Sequence, residues 1–178
     1  EHFGRDSGGL VRPYKCEDAE TIVVALGSIL GTIKDVVDER RSRGEKIGVL
    51  GISSFRPFPM AAIREVLKRA KRWLTVEKAF STGLGGIVSA ECQRALRGER
   101  SIPNYAVIAG LGGRPVTAES LDRMLDSAVA DELEDLTFLD LDTDLVRKEI
   151  AREAATRRSG PIAENIVRDV GASRVTFH

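Results

Sequence analysis

Histidine and cysteine are scarce in this chain, with two of each among 178 residues. His2 and His178 stand at opposite ends of the sequence, which excludes a histidine-based catalytic triad or a histidine-rich metal centre. Cys16 and Cys92 are far apart, with no Cys-x-x-Cys pair. The chain alone therefore cannot hold an iron–sulfur cluster or a tetrahedral zinc. Also missing are His-Glu-x-x-His, Gly-x-Ser-x-Gly, Gly-x-Gly-x-x-Gly and a P-loop, so the usual hydrolase, zinc-enzyme and nucleotide signatures are absent. There is no apolar run of membrane-spanning length and no signal-peptide pattern, so the expected compartment is the cytoplasm, where thiols stay reduced. Net charge is lacking as well. Lys plus Arg and Asp plus Glu both total 27, without the basic excess that marks nucleic-acid binders or membrane-surface proteins.

What is present suffices for an ordinary core, since 42% of residues are hydrophobic and the length fits one domain plus an appendage. The neutral total conceals an asymmetry: residues 1–116 hold 19 basic and 13 acidic side chains, whereas residues 117–178 hold 8 and 14. Acids crowd between Glu119 and Asp144, where Arg123 is the lone opposing charge. Residues 1–16 read as a polar linker continuing from an upstream region, suggesting a fragment or a split subunit.

Between these ends, strand and helix patterns alternate. Residues 21–26, TIVVAL, form a β-branched run without alternation, as expected of a strand covered on both faces. Ser28 is a candidate cap for a helix that places Ile29, Ile33, Val36, Val37 and Arg40 on one side and ends near Gly44. Residues 46–52 predict a second buried strand, which Pro57 and Pro59 prevent from extending. A helix over residues 60–71 turns Ile63, Val66, Leu67 and Ala70 inward. A strand follows over 73–76, then a glycine-rich break and a helix carrying Leu84, Val88, Cys92, Ala95 and Leu96, then a strand over 105–109. Thr117 is a candidate cap for a helix with Leu121, Met124, Leu125 and Ala128 on one face. This order predicts an α/β fold of three layers, with right-handed crossovers and a mostly parallel sheet, complete near residue 129. Residues 130–178, acidic and then helical, read as an extension docked on a partner subunit. Its helices are expected around Leu145, Val146, Ile150 and Ala154, and around Ile162, Ile166, Val167 and Val170.

Candidate contacts gather at strand ends. SFRPFP, residues 54–59, presents Arg56 and Phe58 on a proline-stiffened turn at the end where open α/β sheets receive ligands or neighbours. The alternative is that Phe55 and Phe58 fill the core while Arg56 pairs with a backbone carbonyl or a local acid. Gly83 and Gly85, between a strand and a helix, could offer amides to a phosphate, or simply permit a tight turn. Gly112 and Gly113 follow another strand, with Arg114 beside them as a potential anion partner. Glu17, Asp18 and Glu20 read as solvated acids rather than a metal site.

Taken in order and spacing, YKCEDAETIVVALGS, GEKIGVLGISSFRPFP, VEKAFSTGLGG and AGLGGRPVT resemble the second domain of the 2-oxoacid:ferredoxin oxidoreductase family, whose fold is similar to the C-terminal domain of transketolase. The resemblance covers residues 4–125. It implies a structural or interface domain of an enzyme that oxidatively decarboxylates a 2-oxoacid such as pyruvate, usually with coenzyme A as acyl acceptor. Thiamine diphosphate, magnesium and [4Fe-4S] clusters would be held by sister subunits, with ferredoxin receiving electrons and no catalytic residue or cofactor assigned to this chain alone. Glu77 and Lys78 stand where pyruvate-type members often carry Asp-Arg, which keeps the signs without the arginine fork and leaves the 2-oxoacid open. Competing readings are a free-standing nucleotide- or phosphate-binding α/β module using the loops at Gly83 and Gly110, and a transketolase-type C-terminal domain.

Overall fold

A computed structural model describes residues 9–155. The first compact unit ends at Asp140, and a second begins at Leu141. In the first, strands β1 (Val11–Tyr14), β2 (Thr21–Ala25), β3 (Ile47–Ile52), β4 (Arg72–Glu77), β7 (Asn104–Ile108) and β8 (Leu136–Phe138) form one sheet in the order β1-β3-β2-β4-β7-β8. All neighbours are parallel except the antiparallel pair β1 and β3. A two-stranded hairpin, β5 (Phe80–Ser81) and β6 (Gly85–Gly86), leaves the end of β4.

Two apolar layers follow from strand alternation. Val23, Ala25, Val49, Leu74, Val76 and Val107 point to the face covered by α1 (Ile29–Ser42) and α4 (Ala118–Val129). Ile22, Val24, Leu50, Ile52 and Trp73 point to the face covered by α2 (Met60–Leu67) and α3 (Ile87–Ala95). Burial on both sides is why these strands read as continuous apolar runs. The helix facing predicted for α1 holds, with Ile33, Val36, Val37 and Arg40 buried. Thr117 caps α4 by accepting the Ser120 N–H at 3.1 Å. Ser28, in contrast, makes no side-chain cap bond to α1.

Four expectations are corrected. Val11–Tyr14, assigned to the linker, is an edge strand; Pro13, which cannot donate to a ladder, is tolerated at an edge. Helix α2 stops at Leu67 rather than residue 71. Leu84 lies in the β5–β6 turn, outside α3. The unit does not finish near residue 129: Leu136–Phe138 pairs with β7, and Leu133 and Leu139 pack on the α1/α4 core, so this acidic segment covers its own sheet. Because α4 lies beside α1 while the chain advances from β7 to β8, this crossover has the opposite hand to the three before it, a departure from the usual rule.

A salt-bridge cluster locks α4 on α1. The Arg40 guanidinium, 2% exposed, donates to Asp122 Oδ1 at 2.7 Å, Asp126 Oδ1 at 2.6 Å, Glu45 Oε2 at 3.0 Å and the Asp122 carbonyl at 2.5 Å. In the second unit, α5 (Thr143–Ala155) is the first of the two expected helices, and Asp142 Oδ1 accepts the Leu145 N–H at 2.9 Å at its start. The second expected helix lies outside the described residues, as do residues 1–8.

Candidate functional site

From β2 the chain passes to β3 on one side, then returns to β4 on the other, so the carboxyl ends of β2 and β4 form a topological switch point. A cleft of about 470 Å³ opens there, walled by Leu26, Ile29, Phe55, Val76, Ile87 and Val88, with Glu77 and Lys78 its only ionisable lining groups. Its lining is mostly carbon and includes the small residues Gly27, Ala79 and Ala109.

The two ionisable residues do different things. Glu77 ends β4, is buried, and points back into the protein. Its Oε2 accepts the Val88 N–H at 2.7 Å and its Oε1 the Ser89 N–H at 2.9 Å, with the Thr75 hydroxyl donating to Oε1 at 3.2 Å. These amides belong to the first turn of α3, whose cap residue, Gly86, has no side chain to offer them. A carboxylate at a helix N-terminus is favourable in itself. A Cβ on Gly86 would collide with this carboxylate and would lie 2.8 Å from Ser89 Oγ, which is why glycine occupies that position. Glu77, named from the sequence as a contact candidate, is thus an internal cap, and the helix terminus that Gly83 and Gly85 could have offered to a phosphate is already occupied. Lys78 is exposed and, among the described residues, forms no hydrogen bond or ion pair; its stem lies over Gly110, where a Cβ would come 2.7 Å from Cε.

The remaining candidates are dispersed. Arg56 is exposed, stacks 4.2 Å from the Phe55 ring centroid and pairs with Glu91 of α3 at 2.9 Å. Phe58 meets Phe55 edge-to-face at 5.6 Å and packs partly against the α2/α3 core. The alternative of the two sequence readings describes this turn: Phe55 and Phe58 pack, half-buried, against the core, and Arg56 meets a local acid and the Phe55 carbonyl at 3.0 Å while staying at the surface. Gly83 and Gly85 make the β5–β6 turn, and Gly112 and Gly113 the short turn after β7, all with positive φ. Arg114 donates to the Asp140 carbonyl, tethering the segment after β8. Only Glu77 and Lys78 of the nine candidates line the cleft.

Sequence reasoning missed the cleft, Glu77's capping role and Arg40's acidic partners. The available signal for Arg40 was the Asp122/Asp126 pair, one turn apart on the exposed side of a strongly patterned helix.

Among the described residues no cluster of three His, Cys, Asp or Glu could hold a metal ion, and the α3 N-terminal amides next to the cleft are already bonded to Glu77. Both cysteines are buried, and burial raises both thiols' pKa, against the thiolate a cluster requires.

Comparison with known proteins places this geometry in context. Residues 19–121 match the family model of the pyruvate:ferredoxin oxidoreductase core domain II. Over 128 residues the chain is 41% identical to pyruvate synthase subunit PorA of Methanosarcina barkeri, an alignment covering 71% of this chain and 32% of that subunit. It is 33% identical over 132 residues to the alpha subunit of NADH-dependent phenylglyoxylate dehydrogenase of Aromatoleum evansii, covering 73% and 32%. The chain thus spans about a third of the length of the curated relatives it matches. In fold it is similar to a split-gene transketolase, solved as an inactive β4 tetramer, with a TM-score of 0.52 at 19% identity over 68% of this chain and 43% of that one. A family model spanning β2 to the start of α4 and a set of relatives near 40% identity lead to one conclusion: the chain belongs to the 2-oxoacid:ferredoxin oxidoreductase family, as its core domain II.

Proposed function

We propose that this chain is a scaffolding domain of a multi-subunit 2-oxoacid:ferredoxin oxidoreductase, and that it holds the interface framing a catalytic centre built by sister polypeptides. The family match carries the reading: it covers β2, β3, β4 and β7 with the cleft at their carboxyl ends, and relatives near 40% identity are subunits of pyruvate synthase. In the assembled enzyme thiamine diphosphate supplies the decarboxylation chemistry and [4Fe-4S] clusters the electron path, both held by sister subunits with magnesium. Coenzyme A takes the acyl group and ferredoxin the electrons. This chain's contribution is positional, because small misplacements of reacting groups are costly to rate. Its surface contacts are Arg56 with Phe58, Lys78 and Arg114, and the compartment is the cytoplasm. Pyruvate is the leading substrate, with an aryl-glyoxylate as the second candidate on the strength of the phenylglyoxylate dehydrogenase relative.

The test is reconstitution. The isolated chain should not reduce ferredoxin with any 2-oxoacid. Co-expressed with its sister polypeptides it should copurify with material showing iron–sulfur absorbance and reduce ferredoxin when given pyruvate and coenzyme A. Failure to associate, or turnover by the chain alone, contradicts the proposal, and a preference for phenylglyoxylate would change the substrate while leaving the scaffold role intact.

A further inference from the structure

Exposed apolar side chains are not spread evenly over the first unit. Among its described residues six large ones are at least 40% exposed: Leu10, Leu26, Phe80, Leu84, Leu111 and Val129. Five of them lie on segments that meet the sheet at the carboxyl ends of its parallel strands. Leu10 sits beside the end of β3, its carbonyl accepting the Ser53 and Ser54 N–H groups at 2.9 and 3.2 Å. Leu26 follows β2, Phe80 and Leu84 belong to the hairpin after β4, and Leu111 follows β7. Val129, the exception, ends α4 at the amino end, where charges are paired internally, as in Lys71 with Glu20 at 2.7 Å and Arg41 with Asp18 at 2.6 Å. The 470 Å³ cleft opens on the apolar end, and of its two charged lining groups Glu77 is held by the α3 amides while Lys78 has no partner among the described residues.

A small ligand seated in the cleft would leave Leu84 and Leu111 bare, because neither lines it; Leu84 instead lines a second hollow of about 350 Å³ with Phe80, Ala106 and Leu136, so covering both takes a surface of protein size, and exposed apolar groups on one end of a domain mark such contacts. A second copy docked cleft to cleft would bring two Lys78 ammonium groups together, which is unfavourable. The curated relatives carry about twice as much further polypeptide in the same subunit. Resting on the scaffold role proposed above, we infer that the carboxyl end of this sheet docks on the protein surface corresponding to that remaining two thirds of the PorA-type subunit. The occupying surface is apolar and presents a carboxylate to Lys78.

The chain is tested in complex with the sister polypeptides that copurify with it, comparing Leu111→Ser, Leu84→Ser and Lys78→Met with Val129→Ser as the opposite-end control. All four should fold as isolated chains with thermal midpoints close to the parent. The three carboxyl-end variants should weaken association by about tenfold or more, the control by less than about twofold, and Lys78→Met should flatten the salt dependence of binding. Unchanged association in the carboxyl-end variants, equal loss in the control, or a concentration-dependent homodimer abolished by Leu111→Ser would overturn the inference. If the parent chain binds no sister polypeptide at all, the scaffold role itself fails, an outcome distinct from normal parent binding with indifferent variants.

Discussion

Removing the Glu77 carboxylate tests whether a buried acid at the cleft serves α3 or a ligand. In Glu77→Ala, the Val88 and Ser89 amides lose acceptors at 2.7 and 2.9 Å and Thr75 loses a third bond at 3.2 Å. Hydrogen bonds to charged groups contribute roughly 1.5–3 kcal/mol each, and a lost N-cap costs about 1 kcal/mol. Water entering the open cleft re-solvates part of the helix terminus, so the expected loss is about 3 kcal/mol, and about 1–2 kcal/mol for Glu77→Gln, which keeps one acceptor. For a unit of this size that is on the order of 10 °C in Tm for the alanine variant, with a parallel fall in the urea midpoint at unchanged slope. Vacating the helix terminus should also create an anion site: phosphate should raise the Tm of Glu77→Ala more than that of the parent. A neutral or stabilising Glu77→Gln would refute the capping argument and mean that the carboxylate is retained at a cost for some other purpose.

Other outcomes follow from the same geometry. Arg40→Met should destabilise the first unit by about 2–4 kcal/mol in chemical denaturation, because it leaves Asp122, Asp126 and Glu45 facing one another without their shared cation. Burial, then the hydrogen bond to the Asp131 carboxylate, pushes the Tyr105 phenol up to about 12. Its folded pKa therefore exceeds the unfolded value near 10, so its contribution is complete below about pH 10 and is lost as pH rises toward 12. Tyr105→Phe should show a shallower decline of stability across that window. Deleting residues from 141 onward should leave the first unit's Tm within a few degrees of the parent, whereas deletion from 131 should lower it clearly, since it bares the β7 edge and the core beneath Leu133 and Leu139; equal stability of the two truncations would contradict the role given to β8.

The sequence was most legible where one signal sufficed. Residues 21–25 and 47–52 are covered on both faces, so the apolar runs read at 21–26 and 46–52 mapped onto β2 and β3 to within a residue. In α1 and α4, 3.6-residue spacing identified the buried stripes, and Thr117 announced the start of α4. The edge strands were not legible, because VRPY and LTF are short and only half covered, and each depends on a long-range partner rather than on its own pattern. Glu77 was recognised as notable for the wrong reason. The amides it caps lie eleven and twelve residues onward, beyond any local capping motif, and the sole hint was a helix opening on Gly86 with no side-chain acceptor. Arg40 was placed on the buried face of its helix, but its partners 82 and 86 residues away became visible only once α4 folded back beside α1.

The most direct measurement is ferredoxin reduction by the reconstituted complex against each component alone. The scaffold role predicts no turnover by this chain, pyruvate- and coenzyme A-dependent reduction when it joins its sister polypeptides, and loss of that activity when it is left out. Undiminished reduction by the sister polypeptides without it, or turnover by this chain unaided, would contradict that role.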